Sequence, residues 1–164
     1  MERNNILKVV EKLIQENYFH CEWGMEWQEK RHYLEIVFQF QLTNSNQFAL
    51  QDIYQNFYKK DQVPFEVMVI IYDEDLVKVE AKHYLTSIPV NSERGIMYGE
   101  LVAVIKYLKI LTAELPLKWH DFLQQTEETH FNVSWNRSEF NKVRESLINT
   151  SRYSESQVFF PKTN

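Results

Sequence analysis

Glycine, cysteine and clustered basic charge are all scarce in this chain, and each shortage removes a chemistry. Glycine occurs three times, as Gly24, Gly95 and Gly99. A dinucleotide fingerprint needs closely spaced glycines after a strand, and a P-loop needs Gly-Lys-Ser/Thr. A nucleophile elbow needs glycine on both sides of a serine at two-residue offsets. None of the three patterns occurs. The single Cys21 permits neither an internal disulfide nor a zinc ribbon. The histidines (His20, His32, His83, His120 and His130) form no HExxH or HxH spacing, so neither a metal nor a cofactor is expected.

No apolar run approaches the ~18 residues of a membrane span, and the N-terminal stretch has no signal-peptide h-region or cleavage site. The expected location is the cytoplasm, with no membrane partner. Net charge is -5, and the basic pairs Lys59-Lys60 and Lys106 with Lys109 are too small to attract phosphate. No nucleic-acid partner is expected either.

What is present is a chain of 164 residues, 44% hydrophobic and 25% charged, enough for one core. Ile6, Val10 and Leu13, widened by Leu7 and Ile14, predict a first helix over residues 4–17, capped by Asn4 or Asn5 and stopped near Asn17. Two alternating strands follow. Phe19, Cys21, Trp23, Met25 and Trp27 make one apolar face, and Leu34, Ile36, Phe38, Phe40 and Leu42 the other. Matching these faces in a hairpin sets Trp27 opposite Leu34, Met25 opposite Ile36 and Trp23 opposite Phe38. The same register continues to Cys21 with Phe40 and Phe19 with Leu42.

Residues 44–63 are ambiguous: Leu50, Ile53, Tyr54 and Phe57 fit a helical face, and Phe48, Leu50, Tyr54 and Tyr58 partly fit alternation. From Phe65, FEVMVIIY is apolar on both sides and predicts a central strand. Val77–Glu80 and His83–Val90 read as further strand, with Pro89 at an edge or end. Met97, Leu101, Val104, Leu108, Leu111 and Leu115, with Val102, Ile105 and Ile110, define the longest and most apolar helix. Pro116 suits the first turn of a third helix. Phe131, Val133 and Trp135 read as a short strand. Asn136 with Glu139 predicts a capping-box start to a last helix, with Phe140, Val143, Leu147 and Ile148 inside. The apolar Val158, Phe159 and Phe160 should dock on the body.

Three sets of residues offer chemistry. In the hairpin register Glu26 faces Glu35 with Glu22 further along. Opposed like charges are destabilising, and a cation or substrate is one compensation. Solvation, with Lys30 and Arg31 nearby, is the other. At the start of the long helix, free backbone N–H groups, Gly95 and Arg94 offer an anion site, with Tyr84 on the approach. The alternative is that Gly95 only serves a turn and Arg94 only meets water. His120-Asp121 could be an oriented general base or two exposed helix residues.

Phe65-Glu66 with its apolar strand, Tyr84-Leu85 with Ile88-Pro89, and Arg94-Gly95-Ile96 resemble the pattern of a domain-of-unknown-function family. That family comprises small cytosolic proteins of low-GC Gram-positive bacteria. The Trp-rich first strand and the closing Phe159-Phe160-Pro161-Lys162 are similar to it as well. The likeness spans most of the chain and fits least over residues 43–63. It implies a single domain and no catalytic residue.

The expected fold is one α+β domain over residues 1–164, with a mainly antiparallel sheet of about five strands and helices mostly on one face. The expected role is non-enzymatic protein binding or adaptation, with another protein or a second copy as partner. Aromatics at 15% with four Trp allow either a large aromatic core or an exposed patch. The alternatives are a small hydrolase or metal-dependent enzyme using Glu22, Glu26 and Glu35, and a chaperone-like fold cradling a partner segment.

Overall fold

The computed structural model describes residues 5–43, 50–51, 57–58, 62–125 and 130–162. Helix α1 (Ile6–Asn17) is followed by strands β1 (Glu22–Gln28), β2 (Tyr33–Thr43), β3 (Leu50–Gln51), β4 (Phe57–Tyr58), β5 (Gln62–Asp73), β6 (Thr86–Val90) and β7 (Ile96–Met97). Helices α2 (Tyr98–Leu123) and α3 (Arg137–Asn149) and strand β8 (Gln157–Val158) complete the order. The main sheet runs β1-β2-β5-β6, with β1–β2 and β2–β5 antiparallel and β5–β6 parallel. β3–β4 and β7–β8 form two small pairs.

The hairpin register follows from its two apolar faces. Trp23 pairs with Phe38, Met25 with Ile36 and Trp27 with Leu34, as the alternation requires. Pairing stops at Glu22, so the expected partners of Cys21 and Phe19 are not cross-strand ones. Phe19 instead stacks its ring on Phe38 at 4.9 Å. Leu34, Ile36, Phe38, Val67, Val69, Ile71, Ile88 and Val90 form the inner face of the sheet, packed with buried residues of α1 and α2. β5 is central, and Ile70 on its other face is buried too. Pro64 lies where, among the described residues, β5 has only β2 as a neighbour, because β6 pairing begins at Val69, so its missing N–H leaves no gap in the β5–β6 ladder. Pro89 lies on the edge strand β6.

α1 begins at Asn5, whose side chain accepts the Leu7 N–H at 2.8 Å, and ends at Tyr18 in a left-handed conformation. Val9 joins its buried stripe, and Leu7 is only half-buried.

Four expectations are corrected. Val77–Glu80 is not strand: Asp73 turns the chain, accepting Leu76 and Val77 N–H on its carbonyl and Asp75 N–H on its carboxylate. That departure from the sheet is what lets β6 return parallel to β5. α2 runs unbroken through Pro116 to Leu123, rather than ending before a third helix. Proline removes one hydrogen bond, but Leu111, Leu115, Trp119 and Phe122 continue the buried stripe of Leu101, Val104 and Leu108 past it. Phe131, Val133 and Trp135 alternate in burial without strand pairing, as an extended segment whose rings pack on the body. Met97, Ile110 and Ile148, expected inside, are exposed, whereas Ala103 and Tyr107 are buried.

Residues 44–63 resolve in part. Leu50 pairs with Tyr58 and Gln51 with Phe57 as strand. The rest of the helix-or-strand question, including Ile53 and Tyr54, lies outside the described residues.

Asn136 caps α3 by accepting the Glu139 N–H at 3.0 Å. The reciprocal half of a capping box is supplied differently. The buried Tyr107 hydroxyl accepts the Asn136 N–H at 3.2 Å and donates to Glu139 Oε2 at 3.3 Å. A core tyrosine thus welds α3 to α2.

The chain end is a strap. Ile96 pairs with Val158, the Ile6 N–H donates to the Phe159 carbonyl at 2.9 Å, and Phe160 stacks on Trp27 at 5.1 Å. One segment therefore ties together the start of α1, the hairpin and the turn before α2.

Candidate functional site

The turn before α2 is built by Asn91. Its side-chain oxygen accepts the N–H groups of Glu93 and Arg94 at 2.9 Å, and its carbonyl accepts that of Gly95 at 2.8 Å. Gly95 has φ +67°, and a Cβ there would lie 2.3 Å from the Val158 carbonyl oxygen. Glycine is needed both for the left-handed backbone and for the close approach of the strap. Arg94 is exposed. At the helix start, the N–H groups of Tyr98 and Gly99 donate to the Ser156 and Ser154 carbonyls, each at 2.8 Å. These are N–H groups that the sequence reading leaves free for an anion, and the strap occupies them instead.

Tyr84 is carried to the carboxylates. Its hydroxyl donates to Glu35 Oε2 at 2.6 Å, and Glu35 stands opposite Glu26 in the β1–β2 ladder. Burial pushes the Tyr84 phenol well above its ordinary value, and the hydrogen bond to Glu35 and that carboxylate's charge add to the rise. Tyr84 is therefore a permanent donor to Glu35 at neutral pH. Gln28 donates to Glu26 at 2.9 Å. Glu22 lies further along β1, opposite Gln39, and Gln39 donates across the next ladder to Glu66 at 3.1 Å. The structure thus joins Tyr84, Glu35 and Glu26, drawn from two of the sequence candidates, and sets Glu22 in a separate row with Gln39 and Glu66. Among the described residues, no three His, Cys, Asp or Glu gather closely enough to hold a metal ion.

A further concavity is one that the sequence does not show. A groove of about 840 Å³ opens where β1 ends and α2 finishes. Its walls come from His20–Glu22, Gln39–Thr43, Pro64–Glu66 and the α2 residues Pro116, Trp119, His120 and Leu123. Phe40 and Phe65 are half-buried within it. Trp119 braces one end, its indole N–H donating to the Thr43 carbonyl at 2.7 Å. Because β1 pairing stops at Gln39, the β2 backbone from Phe40 onward has no partner on that side among the described residues. Cys21 also lines the groove. Burial pushes its thiol up to about 11, against the pull of Lys109, so it stays protonated and is a poor nucleophile at neutral pH. His120 lines the same groove, and Asp121 beside it is exposed.

His32 and Asp73 form a pair that spacing in sequence does not suggest. The buried Asp73 lies 3.8 Å from His32 Nδ1, and the imidazole packs beside Trp27 and Phe160. Its position fastens the hairpin turn to the end of β5 and to the strap. Among the described residues the aromatics mostly build the interior: the four Trp are buried or half-buried, and Tyr18 is the most exposed of the large apolar side chains.

These features define a small α+β protein whose sheet carries carboxylates beside a strand-edged groove. The chain belongs to the DUF3013 family of proteins of unknown function, which matches residues 1–162. It is similar in structure to a conserved protein of unknown function from Enterococcus faecalis, with a TM-score of 0.85 at 23% identity, covering 99% of this chain and 98% of that one. At that identity the likeness speaks for the fold. No curated protein matches the chain. Among the described residues no helix is long and apolar enough to cross a membrane.

Proposed function

We propose that this protein is a non-enzymatic binding module that receives an extended segment of another protein in the groove between β1, β2 and the end of α2. The observation that carries this reading is the β2 edge at Phe40–Leu42, without a strand partner on the β1 side among the described residues and set inside a groove lined by half-buried aromatic rings. Strand addition uses these two elements: main-chain hydrogen bonds supply affinity and flanking apolar pockets select side chains. A protonated Cys21 and a Tyr84 already committed to Glu35 offer no activated nucleophile or free acid nearby. We further place the protein in the cytoplasm of low-GC Gram-positive bacteria. Its single cysteine and the Enterococcus faecalis source of the similar structure support that placement.

Capture of partners from native lysate, followed by hydrogen-exchange footprinting of the complex, tests the reading. A stoichiometric partner should slow exchange at residues 20–22 and 39–43. A partner whose footprint lies elsewhere, a second copy of this chain included, refutes the groove as the binding site.

A further inference from the structure

We infer that the segment received by the groove is basic, an extended stretch carrying Lys or Arg among apolar side chains. The inference rests on the groove reading above and adds the partner's charge. Among the described lining residues the carboxylates are Glu22 and Glu66, and none is Lys or Arg. Gln39 stands between the two acids, paired with Glu22 on one side and with Glu66 on the other. Glu26 and Glu35 form a second acidic row on the same face of the sheet, beyond the groove. Strands β1, β2, β5 and β6 contain no Lys or Arg at all, so these carboxylates have no cation within their own sheet. On the α2 wall Lys118 lies 3.8 Å from Glu114 and is directed along the helix.

Glu22 and Glu66 flank Gln39 with like charge, and an incoming cation is attracted by both. The net charge of -5 gives the whole molecule a field of the same sign, which speeds encounter with a basic partner. It also disfavours a second copy of this chain, which carries the same charge. Phe40, Phe65 and the open β2 edge account for the apolar and main-chain parts of the occupant; Glu22 and Glu66 account for its cations.

The test uses the full chain and extended peptides of one aromatic scaffold bearing Lys, Gln or Glu at alternate positions. Titration calorimetry reads affinity and hydrogen exchange reads the site. The Lys peptide should bind best, and the double variant Glu22→Gln/Glu66→Gln should weaken it about three- to tenfold while leaving the Gln peptide unchanged. Added salt should act in the same direction. If the Gln peptide binds as tightly as the Lys peptide and still protects the Phe40–Leu42 amides, the basic partner is overturned and the groove stands. If no peptide protects those amides, both readings fall.

Discussion

Gly99 sits in the first turn of α2, where helix propensity favours alanine over glycine by about 1 kcal/mol. The structure reverses that sign. A Cβ at Gly99 would lie 2.6–2.7 Å from Cγ, Cδ1 and Cδ2 of Tyr153, whereas carbon atoms rest at about 3.5–4.0 Å. The ring must therefore retreat by about 1 Å. It is not free to do so: its hydroxyl donates to Glu100 Oε2 at 2.9 Å, and Glu100 is paired with Arg144 at 3.0 Å. The backbone beside it is pinned by the Gly99 N–H bond to the Ser154 carbonyl at 2.8 Å. Overpacking of this kind costs about 1–3 kcal/mol, and a loosened Tyr153–Glu100 bond adds about 1 kcal/mol. Less the propensity gain, Gly99→Ala should destabilise by about 1–3 kcal/mol. For a chain of this size that is a fall in Tm of about 2–12 °C. Urea unfolding of four proteins decides it: parent, Gly99→Ala, Tyr153→Ala and the double variant. In the Tyr153→Ala background the ring is gone, so Gly99→Ala should become neutral or stabilising. Equal destabilisation in both backgrounds, or none in the parent, would refute the steric argument.

Leu108 is fully buried at the centre of α2, so Leu108→Asp should cost about 3–5 kcal/mol; a variant melting like the parent would contradict that placement. Gly95→Ala should cost about 2–4 kcal/mol through its left-handed φ and the clash with the Val158 carbonyl, and should loosen the strap. Limited proteolysis after residue 150 reads the loosening, and an unchanged digestion rate would count against it. Burial, followed by the hydrogen bond to Glu100, raises the Tyr153 phenol from 10.0 to about 12. A folded-state value above the unfolded one stabilises at pH below 10 and loses that stabilisation as pH rises toward 12. Tyr153→Phe should therefore flatten the alkaline loss of stability in this window, and an unaltered slope would show that Tyr153 is not its source.

How much of this was legible depended on whether the governing force was local. The hairpin register could be read because strand alternation has a period of two, and only one pairing brings Trp23, Met25 and Trp27 over Phe38, Ile36 and Leu34. The Glu26–Glu35 opposition came with it. Asn136 as a cap was equally readable, since an N-cap needs only its own side chain and the next turn. Pro116 misled because its local cost is real, while the burial that outweighs it comes from residues distant in sequence, including the Thr43 carbonyl held by Trp119. The buried Tyr107 that completes the α3 cap was invisible for the same reason.

The sequence by itself determined the α+β class, the hairpin register, the apolar centre of α2 and the absence of nucleotide-binding and nucleophile-elbow motifs. These follow from periodicity and from residue types that are simply missing. Tertiary structure alone decided that the strap occupies the N–H groups at the start of α2 and that Tyr84 reaches Glu35. It also decided that residues 20–22, 39–43, 64–66 and 116–123 converge into one groove. Such convergence is set by how α2 crosses the sheet and by where β1 pairing stops, and neither is written in any local stretch of the chain.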